Sequence, residues 1–276
     1  MRVREALALG KAFLVEAGLP PEKALAETRA LLAHLLEVKP LEVYLHLERG
    51  VPEETFRRLL EERARGIPLA YLLGEVEFYG RTFSVKPGVL IPRAETEILV
   101  EAVLSEDLPP GPVLELGVGS GVVLITLLLE GRFTKGIGVD RSRKALSVAR
   151  ENVARYRLEK RVLLVQGDWL SPLKVFPAFA ALVSNPPYVS RAEWEELPRE
   201  VREYEPREAL DGGPEGLDYI RRTLAEARRY LRPGGKLFLE IGYNQRRAVE
   251  DLAAREGWQV KFYRDLLGYD RVGVFR

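Results

Sequence analysis

The sequence predicts an α/β protein in which a mostly parallel sheet, ending in an antiparallel terminal hairpin, follows a small all-helical domain. Three observations predict this fold class. Apolar residues recur at three- and four-residue spacing up to residue 73, strand-like and helix-like segments alternate from residue 93, and residues 257–275 hold two strand-like runs. We therefore expect a helical domain over residues 1–73, a β-hairpin linker over 74–92 and an α/β domain over 93–276.

The helical domain is predicted from three amphipathic segments, REALALGKAFLVEAGL, EKALAETRALLAHLLEV and PEETFRRLLEERARG. Pro20 and Pro21 mark a helix start, where the missing amide hydrogen of proline does no harm. Up to Glu75 the chain carries 11 basic and 12 acidic residues. This balance argues against a nucleic-acid-binding arm.

The linker and the α/β domain follow from alternation. GEVEFYGRTFSVKPGVLIP has β-type alternation with turn signals at Gly80 and Lys86–Gly88, which predicts a short hairpin. Beyond it, the apolar strands PVLEL, GIGVD, VLLV, FAALVS and KLFLEIG are separated by amphipathic helices. Strands connected in this way run parallel, through right-handed crossovers.

Composition limits the function. The 276 residues include 42 Lys and Arg against 41 Asp and Glu, so binding driven by bulk attraction to phosphate is disfavoured. No cysteine is present, which excludes disulfides and thiolate metal sites, and no metal-binding cluster is predicted. Apolar runs such as 122–129 are too short to cross a bilayer, and the first residues lack a signal-peptide pattern. We expect a cytoplasmic protein without a membrane partner.

A glycine loop follows the first predicted strand of the α/β domain. Gly117, Gly119 and Gly121 allow a tight turn and a close approach of the backbone to a ligand. Their spacing is G-x-G-x-G, whereas a dinucleotide fingerprint reads G-x-G-x-x-G. Glu115, two residues before the loop, would repel a pyrophosphate and would suit a ligand with an ammonium group.

Acidic residues also end the next two strands. Asp140 follows Gly121 by nineteen residues, the position of a ribose-binding carboxylate, although an acid there also caps a helix. Asp168 and Trp169 suit an adenine, one accepting from its amino group and the other stacking; a buried tryptophan beside a capping aspartate is the alternative. Together these features predict a nucleoside with a cationic tail, which S-adenosylmethionine fits.

The fourth strand ends in SNPPYVS, residues 184–190. Prolines fix this turn rigidly at the carboxyl edge of the sheet, where ligands bind. The Asn185 side-chain oxygen and the Pro186 carbonyl can each accept an N–H of a planar nitrogen, and the Tyr188 ring can stack on the planar group. Such acceptors strengthen as charge develops on nitrogen during methyl transfer. We expect Asn185, Pro186 and Tyr188 to be catalytic.

The chain resembles the release factor glutamine methyltransferase family over nearly its whole length. The resemblance rests on the order of these motifs: GIPLAYLLGEVEFYG (66–80), VLIPRAETEILV (89–100), VLELGVGSG (113–121), SNPPYVS (184–190), DGGPEGLDY (211–219) and LEIGYNQ (239–245). It implies a Rossmann-like class I methyltransferase sheet and transfer of a methyl group from S-adenosylmethionine, which leaves S-adenosylhomocysteine. The acceptor implied is the glutamine amide in the Gly-Gly-Gln motif of bacterial class 1 peptide chain release factors.

Carried onto this sequence, the resemblance assigns the site residues. The cofactor would be held by Glu115, Gly117, Val118, Gly119, Ser120, Gly121, Asp140, Asp168, Trp169 and Asn185. The glutamine amide would be gripped by Asn185, Pro186, Pro187 and Tyr188. Ala94 stands where the family has proline, and Glu115 and Val118 stand where aspartate and threonine are usual.

Substrate docking is expected from the helical domain, the 74–92 hairpin and residues 191–213. That last segment holds four arginines and seven glutamates, which also fits a solvated helical face. The alternative function is an amino methyltransferase for adenine or guanine in nucleic acid, since the same turn suits exocyclic amines. The charge balance disfavours it, and no stable nucleic-acid binding is expected. A non-catalytic adapter is disfavoured by the intact Asn185 turn.

Overall fold

The computed structural model describes all residues 1–276 and contains eleven α-helices and nine strands. The helices are α1 Val3–Glu16, α2 Pro21–Leu36, α3 Glu53–Ala64, α4 Leu69–Leu73, α5 Glu97–Ser105, α6 Val122–Leu129, α7 Arg143–Arg155, α8 Arg191–Trp194, α9 Arg199–Tyr204, α10 Asp218–Glu226 and α11 Arg246–Arg255. The strands are β1 Glu75–Phe78, β2 Arg81–Ser84, β3 Val113–Leu116, β4 Gly136–Asp140, β5 Val162–Gln166, β6 Phe179–Ser184, β7 Leu231–Glu240, β8 Val260–Arg264 and β9 Asp270–Phe275. Short 3₁₀ helices cover Pro40–His46, Ala94–Thr96, Arg207–Ala209 and Ala227–Arg229.

The chain forms two compact units, and the division is not purely sequential. The first unit contains Met1–Glu75 together with Arg199–Tyr204, and the second contains Val76–Pro198 and Glu205–Arg276. Helix α9 therefore clusters with helices that precede it by more than a hundred residues.

The first unit is a bundle of short helices around an apolar core. The stripes predicted from sequence supply its fully buried side chains, which include Leu14, Leu31, Leu32, Phe56 and Leu60. Pro21 opens α2 at its first turn, as predicted.

An ion network is buried within this helical unit. The Arg63 guanidinium contacts both carboxylate oxygens of Glu27 and also donates to Glu200 of α9 at 2.8 Å. Arg63 is only 4% exposed. A buried guanidinium needs such carboxylates because desolvation of an unpaired charge is very unfavourable. The network therefore fixes α9 to the helical unit.

The second unit is built on a seven-stranded sheet in the order β5-β4-β3-β6-β7-β9-β8. The first five strands pair in parallel, and β9 pairs antiparallel with β7 and β8. The predicted α/β fold class, with its antiparallel terminal hairpin, is confirmed. The strand order reverses direction between β3 and β6, which places a ligand crevice at their carboxyl ends.

The register of the sheet determines which strand ends meet. Leu116 of β3 pairs with Val139 of β4 on one side and with Ser184 of β6 on the other. On the far side of β6, Ser184 pairs with Leu239 of β7. The residues that follow these strands, including Asn185, therefore gather along one edge of the sheet.

The hairpin of β1 and β2 forms a separate two-stranded sheet. Asn152 of α7 holds its second strand through both backbone groups of Ser84, at 2.8 and 3.0 Å. The chain that follows β2 thereby reaches the carboxyl edge of the large sheet at Gly88–Leu90. No helix of the protein combines the length and apolar character that a membrane crossing requires.

Candidate active site

A cleft opens at the carboxyl ends of β3, β4 and β6, the edge of a parallel sheet where ligands bind. All of its walls belong to the second unit. It is lined by Gly88, Val89, Leu90, Gly117, Gly119, Val139, Asp140, Arg141, Ser142, Ala145, Gly167, Asp168, Trp169, Asn185, Pro187, Pro206, Glu208, Ala209 and Tyr219.

The glycine loop forms one wall of the cleft. Gly117 and Gly119 have φ angles of +69° and +54°, in the left-handed region that side chains disfavour. No atom other than the Gly117 carbonyl lies within 4 Å of where a Cβ of Gly119 would be, so this backbone faces the open cleft. The amides of Gly117 and Val118 donate to the Val139 carbonyl at 2.9 and 3.0 Å. The loop is therefore tied to the tip of β4.

Asp140 lines the cleft and stabilises the same loop. Its carboxylate accepts the amide of Gly119 at 2.9 Å and the amide of Ser142 at 2.8 Å. Burial raises the pKa of Asp140 above its ordinary value, and these backbone donors oppose the shift. The N-cap of α7 is Ser142, which accepts from the Ala145 amide at 3.2 Å, so the alternative interpretation of Asp140 as the helix cap does not hold.

Trp169 and Asp168 also line the cleft but occupy different environments. The indole of Trp169 is buried, donates to Thr223 at 2.8 Å, and lies 4.8 Å from the Tyr219 ring between centroids. Trp169 has a φ of +57°, an uncommon conformation for a bulky residue. Asp168 is exposed and pairs with Arg222 at 2.8 Å. Trp169 and Tyr219 form an aromatic surface, as the adenine hypothesis requires. Asp168 is next to it in sequence, but its carboxylate is already paired with Arg222.

The Asn-Pro-Pro-Tyr turn leaves two acceptors unused. The Asn185 amide nitrogen donates to the Thr96 hydroxyl at 3.1 Å, while its oxygen accepts from no protein group. The Pro186 carbonyl also accepts no protein hydrogen bond. Tyr188 donates to the buried carboxyl of Glu240 at 3.1 Å, and burial raises the pKa of the phenol above its usual range. The turn thus presents two unused acceptors, and Glu240 holds the Tyr188 ring through its hydroxyl group.

Two motifs quoted from the sequence buttress this turn. Gly212 packs so closely that a Cβ would lie 2.7 Å from the Pro187 carbonyl, and a Cβ on Gly216 would overlap the Tyr188 carbonyl. Gln245 donates to the Tyr188 carbonyl at 2.9 Å and to the Gly216 carbonyl at 3.1 Å. The DGGPEGLDY and LEIGYNQ segments therefore hold the turn in place.

Some predicted residues lie outside the lining of the cleft. The Glu115 carboxylate is buried and accepts the amide of Leu124 in α6 at 2.9 Å; burial raises its pKa well above the usual value. Other predicted residues outside the lining are Val118, Ser120, Gly121, Pro186 and Tyr188. Their assignment to cofactor or substrate stays a prediction.

Sequence reasoning missed several residues of the site. Val89, Leu90 and Tyr219 lie in motifs quoted from the sequence, but no ligand role was assigned to them. Pro206, Glu208 and Ala209 come from a charged segment without a ligand motif. Glu205, in the charged segment 191–213, is buried and accepts from Arg93 at 2.5 Å and from the Ile91 amide at 3.0 Å. A solvated helical face was one interpretation of that segment, but it does not describe Glu205.

The chemistry of the lining suits the cofactor predicted from sequence. A half-buried carboxylate, an aromatic wall and glycine backbone free of side chains fit a ribose, an adenine and a cationic methionine tail. No group of three or more His, Asp or Glu side chains could hold a metal ion.

Comparison with known proteins identifies the family. Residues 5–74 match the model of the PrmC N-terminal domain, and residues 93–200 match the methyltransferase small domain. The release factor glutamine methyltransferase of Geobacter sulfurreducens is 39% identical over 274 residues, covering 98% of this chain and 95% of the relative. The protein of the same name from Cereibacter sphaeroides is 40% identical, covering 99% and 97%.

Among solved structures, a methyltransferase from Pyrococcus furiosus matches with a TM-score of 0.53 and 23% identity, over 71% of this chain and 88% of the other. That likeness supports the methyltransferase fold. With the identity and coverage of the curated relatives, we conclude that this chain belongs to the release factor glutamine methyltransferase family, as its motifs predicted.

Proposed function

We propose that the protein transfers a methyl group from S-adenosylmethionine to the side-chain amide nitrogen of the glutamine in the Gly-Gly-Gln motif of class 1 peptide chain release factors. The observation that carries the proposal is the pair of unused acceptors on the turn, the Asn185 side-chain oxygen and the Pro186 carbonyl, next to the cleft at the sheet edge. A primary amide has two N–H groups, and two acceptors match it.

The cofactor would contact three groups of residues around the cleft. The Asp140 carboxylate would accept the ribose hydroxyls, the glycine loop would lie against the methionine end, and Trp169 with Tyr219 would bound the adenine. The cofactor supplies an electrophilic methyl group on a sulfonium. S-adenosylmethionine carries no phosphate, so its site needs no basic group to bind one. This agrees with the acidic residues near the glycine loop.

The turn would act by orientation and by electrostatics. An amide nitrogen is a poor nucleophile because its lone pair is delocalised into the carbonyl. Asn185 and Pro186 would accept its two N–H groups and turn the lone pair toward the methyl group, and the Tyr188 ring would stack on the amide plane. These hydrogen bonds strengthen as the nitrogen becomes positive, so they stabilise the transition state more than the bound substrate. The methylated nitrogen would be strongly acidic and would lose one N–H proton to solvent, so no strong general base is required.

The rest of the release factor needs its own contacts. We propose that the helical unit docks the factor, since its Pro40–His46 segment exposes Leu41 and Leu45, which are 71% and 80% accessible. Release factors act on ribosomes, so we propose the cytoplasm as the place of action.

The test uses radiolabelled S-adenosylmethionine with three acceptors: a class 1 release factor, the same factor with its Gly-Gly-Gln glutamine changed to alanine, and nucleic acid. Label on the intact factor alone is the expected result. Label on the alanine version would overturn the glutamine assignment. Label on nucleic acid alone would make the amino methyltransferase alternative correct.

A further inference from the structure

The buried carboxyl of Glu240 lies behind the Asn-Pro-Pro-Tyr turn. Glu240 is the last residue of β7, the parallel neighbour of the strand that leads into Asn185. It is 1% exposed, and its Oε2 accepts no hydrogen bond from the protein. Burying a carboxyl with an unsatisfied oxygen is strongly unfavourable, so its presence here calls for a role.

Two hydroxyl groups, those of Tyr188 and Thr96, lie between this carboxyl and the turn. Tyr188 donates to Glu240 Oε1 at 3.1 Å. The Thr96 hydroxyl lies close enough to the carboxyl to favour its charged form, although Oε2 has no hydrogen-bond partner in the structure. Thr96 is itself buried and accepts from the Asn185 amide nitrogen at 3.1 Å. Glu240 therefore holds Tyr188 directly, and it would reach Asn185 through Thr96 when that hydroxyl donates to Oε2.

The direction of these bonds determines how Asn185 is oriented. A threonine hydroxyl can donate or accept, so alone it would tolerate either orientation of the Asn185 carboxamide. When the hydroxyl gives its proton to the Glu240 carboxylate, it can only accept from Asn185, and the amide nitrogen must turn inward. The carboxamide oxygen is then left facing outward as an acceptor.

We propose that Glu240 and Thr96 are positioning residues that fix the Asn185 carboxamide and the Tyr188 ring in the orientation required for amide methylation. The proposal rests on the proposed function, and it concerns residues that lie behind the groups expected to touch the substrate. Neither residue lines the cleft, so neither is a direct contact of the cofactor.

The ionisation of Glu240 would then be visible in catalysis. Burial raises its pKa to about 7; Glu95 adds to this shift, while Arg271 and the two hydroxyls oppose it. Arg93 and Arg271 face the partner phenol of Tyr188. Protonated Glu240 no longer requires the Thr96 proton, which frees the hydroxyl to donate to the Asn185 oxygen. Turnover is therefore expected to rise as Glu240 ionises around neutral pH.

The decisive variants are a matched pair at position 96. Thr96→Val keeps the shape and removes the hydroxyl, whereas Thr96→Ser keeps the hydroxyl. We expect Thr96→Val to lower kcat about tenfold, the size of one lost orienting hydrogen bond, with KM for the release factor and Kd for the cofactor within about twofold of the wild type. Thr96→Ser should stay within about twofold in kcat.

A third variant, Glu240→Gln, tests the carboxyl. Its amide nitrogen can donate to Thr96, so the Thr96 hydroxyl is no longer committed to accept from Asn185. We expect a lowered kcat and the loss of the kcat–pH step around neutrality that the wild type shows. Thermal unfolding of each variant, with its cofactor Kd, separates this effect from simple misfolding.

The outcomes distinguish a failure of the positioning role from a failure of the proposed function. If the wild type labels the release factor while Thr96→Val turns over like Thr96→Ser, the positioning role is wrong and the proposed function stands. An unchanged pH step in Glu240→Gln would also overturn the role. If the wild type labels only nucleic acid, the proposed function fails, and the Thr96 pair measured with that acceptor still decides the positioning role.

Discussion

The carboxylate of Asp140 accepts the backbone amide of Gly119 at 2.9 Å, which ties the acid at the tip of β4 to the glycine loop after β3. The buried Val118 side chain anchors the loop in the core, and the positive φ angles of its glycines need fixed partners as well. Asp140 thus arranges the backbone of the cleft and is also the group proposed to bind the ribose.

We expect Asp140→Asn to raise the Kd of S-adenosylmethionine about tenfold or more, because a charge-assisted acceptor is lost from loop and ligand together. Asp107→Asn, at an exposed aspartate, is the control. Titration calorimetry measures both. Burial raises the pKa of Asp140, so cofactor affinity should weaken as pH falls through that raised value. Unchanged affinity in Asp140→Asn would remove this residue from the ribose site.

Replacing Asn185 tests the acceptor role of the turn. Asn185→Ala should lower kcat about a hundredfold, since one preorganised transition-state hydrogen bond is removed. Asn244→Ala, at an exposed asparagine, should leave kcat unchanged. The measurement is single-turnover methylation of the release factor at saturating cofactor. A wild-type rate in Asn185→Ala would contradict the mechanism.

The burial of Glu240 also predicts a pH-dependent stability. Its folded pKa of about 7 lies above the ordinary 4.5, so the folded state binds the proton more tightly than the unfolded chain. Stability from this group is therefore full below pH 4.5 and falls as the pH rises toward 7, by about 3 kcal/mol in total.

Denaturant unfolding of Glu240→Gln against the wild type measures this effect. The difference in unfolding free energy should shift in favour of the variant by about 3 kcal/mol over that pH range. Glu159→Gln, which alters an exposed carboxyl, should show no such trend. A pH-independent difference for Glu240→Gln would mean that Glu240 ionises normally.

Docking by the helical unit is tested on its surface. The double variant Leu41→Ser/Leu45→Ser should raise KM for the intact release factor about tenfold while leaving methylation of a short Gly-Gly-Gln peptide unchanged, because lost apolar burial weakens only the larger contact. Val175→Ser/Phe176→Ser removes similarly exposed apolar side chains from the other unit and serves as the control. Equal losses with both acceptors would argue against docking here.

The fold was predictable because the core strands are rich in apolar residues and alternate with amphipathic helices. FAALVS, for instance, is buried throughout as β6. The glycine loop, Asp140, Trp169 and the Asn185 turn were predicted for the same edge of the sheet because parallel strands end together, and Gly117, Gly119, Asp140, Asp168, Trp169, Asn185 and Pro187 do line one cleft.

Thr96 and Glu240 were beyond such reasoning, since neither residue alone differs from an ordinary polar position. Glu240 reaches Tyr188 only because β7 lies beside β6, and Thr96 reaches Asn185 across 89 residues of sequence. The direction of the Glu115 side chain, toward the start of α6 and away from the lining, likewise depends on a backbone amide that the sequence does not reveal.

The contact between Arg63 and Glu200 has a practical consequence for dissecting the chain. A genetic truncation after residue 75 would produce a helical fragment without α9, because that helix is encoded far downstream. Deletion of residues 1–75 would leave α9 without the helices of its own unit and Glu200 without the Arg63 guanidinium. Expressed pieces would therefore misreport the stability of each half, and point substitutions in the intact polypeptide are the sounder probe.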